Sequence, residues 1–343
     1  MPSKAVETLL KGGALSVEET EEFIEGMIKG SIDEPLMVAF LTALAMKGPS
    51  KEELLGAVLV FQRHAAPITP PPYPLMDTCG TGGKAYPTLN VSTLSAFVVA
   101  SFGVKVAKHG NRSFRNALGS AQVLERLGVN VALEPERSLR LLEEVGVGFF
   151  LAPAYHPAMQ AVKGLRAKLP FRTLFNLLGP LTNPLPLTYQ VVGVYDSRYV
   201  HLIAECLRIL GRKRACVVYG EDGQDELSLA SPSILAVLQE DGRIERLRVE
   251  PEDFGVSRFS KERLILETQE EQLEAFQRVI EGNPSPWLEL VALNAGLALF
   301  VCGLTGNIKG GYGLAKEALL TRSALGVFER FKKTARGDDS VPS

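Results

Sequence analysis

The chain has 343 residues, 46% of them hydrophobic and 22% charged, with a formal net charge of −2. That is the balance of a soluble globular protein of one large or two ordinary domains. It offers nucleic acid or an anionic membrane no global attraction, so a bound anion has to be met by local positive charge. The longest apolar stretch, Val291 to Leu304, contains Asn294 and is too short for a bilayer, so it predicts a buried helix. The four cysteines, Cys79, Cys206, Cys216 and Cys302, show no CxxC spacing. They read as reduced thiols of a cytoplasmic protein, and the N-terminus has no cleavable signal pattern.

Residues 1–68 predict helices. Ser16-x-x-Glu19 is a capping-box pattern followed by Phe23, Ile24, Met27 and Ile28 at helical spacing. Asp33 and Pro35 start a second helix that runs to Lys47 and stops at Gly48; Ser50-x-x-Glu53 caps a third. Pro67-Ile68-Thr69-Pro70-Pro71-Pro72 is a stiff extended linker and the expected domain boundary. Beyond it the pattern changes. Short apolar runs at Leu75–Thr78, Val104–Ala107, Gly148–Leu151, Gln190–Val194 and Ala215–Tyr219 predict strands. Helical patterns such as Thr93–Phe102, Ala121–Leu127 and Glu136–Val145 lie between them. This rhythm argues for a covered, mainly parallel sheet. Two strand-like runs around Asp241-Gly242 predict a hairpin. Helices and a polar tail, Thr334 to Ser343, expected to be disordered from about residue 336, close the chain. The predicted fold class is α/β: a small N-terminal helical domain plus a large α/β domain (73–335) with a mainly parallel central sheet.

Chemistry concentrates in four places. Gly80-Thr81-Gly82-Gly83 follows a strand and precedes a helix, which lets backbone N–H groups approach an anion. It is neither a P-loop nor a dinucleotide fingerprint, and by itself it is equally a tight turn. Asn90, Ser92 and Thr93 add an amide and two hydroxyls at the expected helix start, more than one N-cap needs. Lys108-His109-Gly110-Asn111-Arg112 falls at the carboxyl end of a strand, where open α/β sheets bind ligands. Lys108 and Arg112 suit phosphate; His109 and Asn111 suit an acceptor. His156 and Arg166 form a third group, with the arginine suited to a carboxylate. Asp225-Glu226 suits a hard cation bridging to a diphosphate, with Glu221 and Asp222 as competitors that spacing does not eliminate. Phe175 to Pro184, stiffened by Pro180 and Pro184, reads as a hinge or crossover in which Gly179 permits close approach.

The motifs DTCGTGG, NVST, VKVAKHGNRS, HPAM, RTLFNLLGPLTNP and DELS occur in an order and spacing that resembles the anthranilate phosphoribosyltransferase family. The resemblance runs from about residue 5 to about residue 330, and FNLLGPLTNP with KHGNR is its most specific part. It implies a homodimer formed through the helical domain, to which a segment at about 170–188 contributes. It implies transfer of a 5-phosphoribosyl group from phosphoribosyl pyrophosphate (PRPP) to anthranilate in tryptophan biosynthesis. PRPP would lie against Gly80, Thr81, Gly82, Gly83, Thr88, Asn90, Ser92, Thr93 and Lys108. Mg²⁺ would be held by Ser92, Asp225 and Glu226, which chooses the second acidic pair. Anthranilate would meet Gly80, His109, Asn111, His156, Arg166, Gly179 and Pro180. No dedicated catalytic nucleophile is implied; Lys108 and Arg166 would position the substrates. The chain departs from the family at Lys84, where an acidic residue is usual, and at Ala85, usually glycine. It also departs at the loop Phe114-Arg115-Asn116-Ala117-Leu118, usually small residues, and at Gln122, usually acidic. Two alternatives accompany this reading: a divergent paralogue with another aromatic acceptor, and a ligand-binding relative without catalysis.

Overall fold

The structure is a computed structural model that describes residues 2–113 and 118–336. In chain order its elements are α1 (Pro2–Leu10), α2 (Val17–Ile28), α3 (Glu34–Lys47), α4 (Lys51–Arg63), β1 (Leu75–Gly80), α5 (Val91–Ala100), β2 (Lys105–Gly110), α6 (Ser120–Arg126), α7 (Pro135–Val145), β3 (Val147–Leu151), α8 (Ala152–Tyr155), α9 (Met159–Lys168), α10 (Phe175–Leu178), β4 (Tyr189–Gly193), α11 (Tyr199–Ile209), β5 (Arg214–Gly220), β6 (Ser233–Leu238), β7 (Ile244–Val249), α12 (Gln269–Ile280), α13 (Pro286–Val301), α14 (Ile308–Leu320) and α15 (Ser323–Arg336). They form two compact units. The first takes residues up to Ile68 together with Ala152–Pro184; the second takes Thr69–Leu151 and the chain from Leu185 onward.

The helical unit starts from its caps. Ser16 and Glu19 satisfy each other's backbone N–H groups, as do Ser50 and Glu53, so α2 and α4 begin at fixed points. Glu53 is fully buried and also accepts from the Leu15 N–H at 3.0 Å and Lys47 Nζ at 2.9 Å, which pins three segments to one carboxylate. Phe23 and Phe40 stack between α2 and α3 at 3.8 Å. The returning segment docks through Ala66 N–H to the Tyr155 carbonyl, 2.8 Å, and through Phe175 edge-on to Phe61. The 175–184 segment, read from sequence as a hinge or crossover, is a helical turn (α10) followed by a 3-10 turn, Gly179–Leu181.

The second unit is built on a seven-stranded sheet of order β3-β2-β1-β4-β5-β6-β7. β3, β2, β1, β4 and β5 run parallel; β6 and β7 are the antiparallel hairpin expected around Asp241-Gly242. From β1 the chain builds outward to β2 and β3, then returns to β4 on the other side. This reversal opens a crevice at the carboxyl ends of β1 and β4, where a parallel sheet binds ligands. Helix α5 is buried at every residue except Ser92. Helix α13 is the expected buried apolar helix. Its Asn294 accepts from the Leu227 N–H at 2.9 Å and donates to the Leu227 carbonyl at 3.0 Å, which fixes the chain directly after Glu226. Among the described residues no helix is long and apolar enough to cross a membrane.

Two expectations change. Helix α15 runs to Arg336, where the guanidinium donates to the Gly128 carbonyl at 2.7 Å, so Thr334 to Arg336 are helical and not tail. Residues 337–343 lie outside the described residues. Strand β2 extends through Gly110, so Lys108 and His109 belong to the strand itself, not to the loop after it.

Candidate active site

The crevice begins with two facing glycines. Gly80 ends β1 and Gly193 ends β4, and they are register partners. The Thr81 N–H donates to the Gly193 carbonyl at 2.9 Å, and the Thr81 hydroxyl accepts from the Tyr195 N–H at 3.0 Å. Gly82 and Gly83 then turn with φ of +69° and +84°, a region that L side chains rarely occupy. The turn aims the Gly82 N–H at Asp225 Oδ2, 3.0 Å away. Both strand-end glycines are required by that approach. A Cβ on Gly80 would sit 2.5 Å from Asp225 Oδ2, and one on Gly193 would collide with the Asp225 main chain. The Gly193→Ala protein is therefore expected to lose about 1–3 kcal/mol of stability as the acidic loop is pushed off the sheet. Thermal melts check this; a wild-type midpoint would mean that the loop is not held against β4.

The four acidic candidates separate by partner. Glu221 is exposed and paired with Arg248 at 2.9 Å. Asp222 accepts from the Tyr86 hydroxyl at 2.6 Å and the Ser228 hydroxyl at 2.6 Å, which ties the glycine loop to the acidic loop. Asp225 is half-buried beside the glycine turn. Glu226 is buried; its Oε2 takes Lys84 Nζ at 2.7 Å and its Oε1 the Thr88 hydroxyl at 3.2 Å. Burial pushes the Glu226 carboxyl up to about 7, with Lys84 pulling it down and Asp225 adding to the rise. Among the described residues no group of three or more His, Cys, Asp or Glu side chains forms a metal cage. Two adjacent carboxylates nevertheless fit Mg²⁺, which binds through one or two carboxylates and fills its remaining positions with water and substrate phosphate. The hard oxygens of Asp225 and Glu226 fit that ion. The Ser92 hydroxyl is hydrogen-bonded to neither of them; Lys108 Nζ lies 3.4 Å from it.

Lys108 is 2% exposed and donates to the Thr78 carbonyl at 2.6 Å. Burial holds its ammonium below the ordinary lysine value, with the buried Asp77 pulling it back up. Its ammonium thus lies between the Thr78 carbonyl of β1 and the Ser92 hydroxyl of α5. Asn90 is the N-cap of α5, and its side chain donates to the Leu118 carbonyl at 3.0 Å. Thr93 is buried, and its hydroxyl has no hydrogen-bond partner among the described residues. His109 is buried, while Asn111 is exposed and its amide oxygen accepts from the Arg112 N–H at 2.8 Å. Arg112 is paired with Glu125. Of the divergent loop 114–118, residues 114–117 lie outside the described residues. Gln122 accepts from the Ser113 and Gly119 N–H groups, each at 2.8 Å, and so clasps the two sides of that loop.

In the helical unit, His156 Nε2 donates to the Thr182 carbonyl at 2.6 Å. Burial holds the His156 imidazole below its ordinary 6.5, against the opposite pull of the Thr182 and Phe61 carbonyls. The unfolded chain then takes up a proton before the folded chain does, so this group costs stability as the pH falls from 6.5 toward the lower folded value. Glu226, raised to about 7, contributes the opposite slope in both proteins, so the check is a difference: between about pH 8 and about pH 5 the wild-type melting temperature is expected to fall relative to that of His156→Gln. Arg166, on α9, rests its guanidinium 5.4 Å over the Phe175 ring and 4.0 Å from the Met159 sulfur. It has no carboxylate partner among the described residues, and burial lowers its pKa. Gly179 is exposed, with open space where a Cβ would be; Pro180 is buried.

Sequence reasoning missed Gly193, whose only signal was a glycine at a strand end. It also missed that Lys84 pairs with Glu226 and Tyr86 with Asp222, which no spacing encodes.

Residues 72–325 match the glycosyl transferase family α/β domain, and residues 3–65 match its helical bundle domain. An anthranilate phosphoribosyltransferase of Rubrobacter xylanophilus is 41% identical over 337 residues, covering 98% of each chain. One from Desulfatibacillum aliphaticivorans is 40% identical over 333 residues, 97% of this chain and 98% of its own. The crystal structure of anthranilate phosphoribosyltransferase from Thermus thermophilus matches with a TM-score of 0.88 at 37% identity, covering 97% of this chain and 99% of its own. The Saccharomyces cerevisiae enzyme, solved in complex with PRPP and Mg, shares the fold with a TM-score of 0.88 at 23% identity over 98% of both chains.

Proposed function

This chain belongs to the anthranilate phosphoribosyltransferase family, and we propose that it joins the amine of anthranilate to the anomeric carbon of PRPP. Pyrophosphate leaves, and N-(5-phosphoribosyl)anthranilate enters tryptophan biosynthesis. The observation that carries this acceptor is Arg166, a desolvated guanidinium with no carboxylate of its own among the described residues. A half-buried guanidinium stacked on Phe175 and without a protein carboxylate among the described residues is suited to a ligand carboxylate.

The diphosphate meets the backbone of Gly80, Thr81, Gly82 and Gly83, with Thr88, Asn90, Ser92 and Thr93 beside it. Lys108 holds Ser92 and the end of β1 in place. Asp225 and Glu226, with Ser92, would hold Mg²⁺, which when bound neutralises charge on the departing pyrophosphate. In the helical unit, Arg166 would take the anthranilate carboxylate, with His156, Gly179 and Pro180 in the same unit. The sugar becomes oxocarbenium-like as the bond breaks, so the residues have to align the amine with C1 and exclude water. The amine supplies its own lone pair, and no protein nucleophile is required.

The helical unit supports a homodimer: Leu10 is 69% and Met46 81% exposed, large apolar side chains that a second copy would cover. Light scattering at micromolar concentration tests that reading, and a monomer would refute it. The four cysteines form no disulfide among the described residues, which supports a cytoplasmic setting.

The activity test follows the loss of anthranilate fluorescence with PRPP and Mg²⁺. Metal-dependent loss is the expected result. No loss in protein that binds PRPP would point to another aromatic acceptor; no loss and no PRPP binding would point to a fold retained without catalysis.

A further inference from the structure

Lys84 stands immediately after the glycine turn, and its ammonium is surrounded by oxygen. Nζ lies 2.7 Å from Glu226 Oε2, 2.7 Å from the Thr88 hydroxyl and 3.3 Å from the Leu89 carbonyl. An ammonium has three N–H donors, so this shell is full. The two oxygens of Glu226 are also both engaged, one by Lys84 and one by Thr88. The arrangement resembles a small cation site in which the cation is covalently tethered to the chain.

This bears directly on a divalent ion. With Lys84 in place, the cluster Asp225, Glu226 and Lys84 carries one more positive charge than the two carboxylates alone would carry. A metal at Glu226 has to displace the ammonium or share the carboxylate with it, and two cations on one buried carboxylate repel each other strongly. Lys84 is also held in position: the Ala85 N–H donates to the Gly223 carbonyl at 2.9 Å, and Tyr86 is bonded to Asp222. The ammonium is therefore not free to swing away without cost.

We propose that Lys84 is a built-in counter-ion that competes with a divalent cation for Glu226 and keeps the acidic pair of the unliganded chain a weak metal site. The metal role of Glu226 rests on the reading above; the test uses the metal alone, without PRPP or anthranilate, so the transferase reading can fail without it.

The experiment measures Mn²⁺ binding to the intact, substrate-free protein by electron paramagnetic resonance of the free ion. Lys84→Met is expected to tighten Mn²⁺ binding about 10-fold or more, and adding Glu226→Gln to that variant to remove the gain. Lys84→Gln retains a hydrogen-bond donor for Glu226 without the charge and is expected to tighten binding in the same way. It also serves if the methionine variant fails to fold. Lys84→Arg is expected to remain weak. Unchanged or weaker Mn²⁺ binding in the folded neutral variants would overturn the proposal, as would a gain that survives Glu226→Gln. Tight Mn²⁺ binding by the wild-type chain, unaltered in Lys84→Gln, would overturn it as well.

Discussion

Asp225→Asn is expected to lower kcat/KM for PRPP by about 10²–10³-fold, equivalent to about 3–4 kcal/mol of transition-state stabilisation. The substitution keeps the shape of the side chain, and its amide oxygen still accepts from the Gly82 N–H that now reaches Oδ2 at 3.0 Å. The contact with Gly80 is retained too, so the fold is spared and only the charge is lost. The effect should show in the metal titration: activity in the variant requires far more Mg²⁺ and does not reach the wild-type plateau. Asp225 is the acidic residue best placed for this role, because Glu221 is neutralised by Arg248 and Asp222 is committed to Tyr86 and Ser228. Wild-type metal dependence in Asp225→Asn would remove this carboxylate from the metal site.

Arg166→Ala should act on the other substrate. Losing a charge-assisted pair is worth about 1.5–3 kcal/mol, so the KM for anthranilate is expected to rise about 10- to 150-fold. The KM for PRPP should change little. Lysine restores only part of the loss, because it lacks the planar fork that grips a carboxylate and stacks on Phe175. A second readout separates binding from structure. The guanidinium is desolvated without an anionic partner, so Arg166→Met is expected to melt at or above the wild-type temperature while anthranilate binding falls. A variant that melts well below wild type with anthranilate KM unchanged would make Arg166 a structural residue.

Much of the molecule is legible in the amino-acid sequence alone. Ser16-x-x-Glu19 and Ser50-x-x-Glu53 announce helix starts because a capping box is a contact between residues three apart. Asp241-Gly242 announces the β6–β7 turn because positive φ at Gly242 is a local demand. The strand runs announce themselves because covered parallel strands are continuously apolar. The motif order carries the family.

What the sequence left open belongs to pairs far apart in the chain. Lys84 and Glu226 are 142 residues apart and Tyr86 and Asp222 are 136 apart. They meet because β1 and β4 lie side by side with Gly80 opposite Gly193. Lys108 looked like a phosphate ligand on a loop, yet the register of β2 against β3 carries it into the strand and under Thr78. Arg112 looked equally available and is taken by Glu125. Local spacing determined where helices, strands and turns begin, since those depend on hydrogen bonds between near neighbours. Only the tertiary structure decided which charges are spent on each other and which, like Arg166, are left for a ligand, because that depends on the sheet order and on what each side chain is buried against.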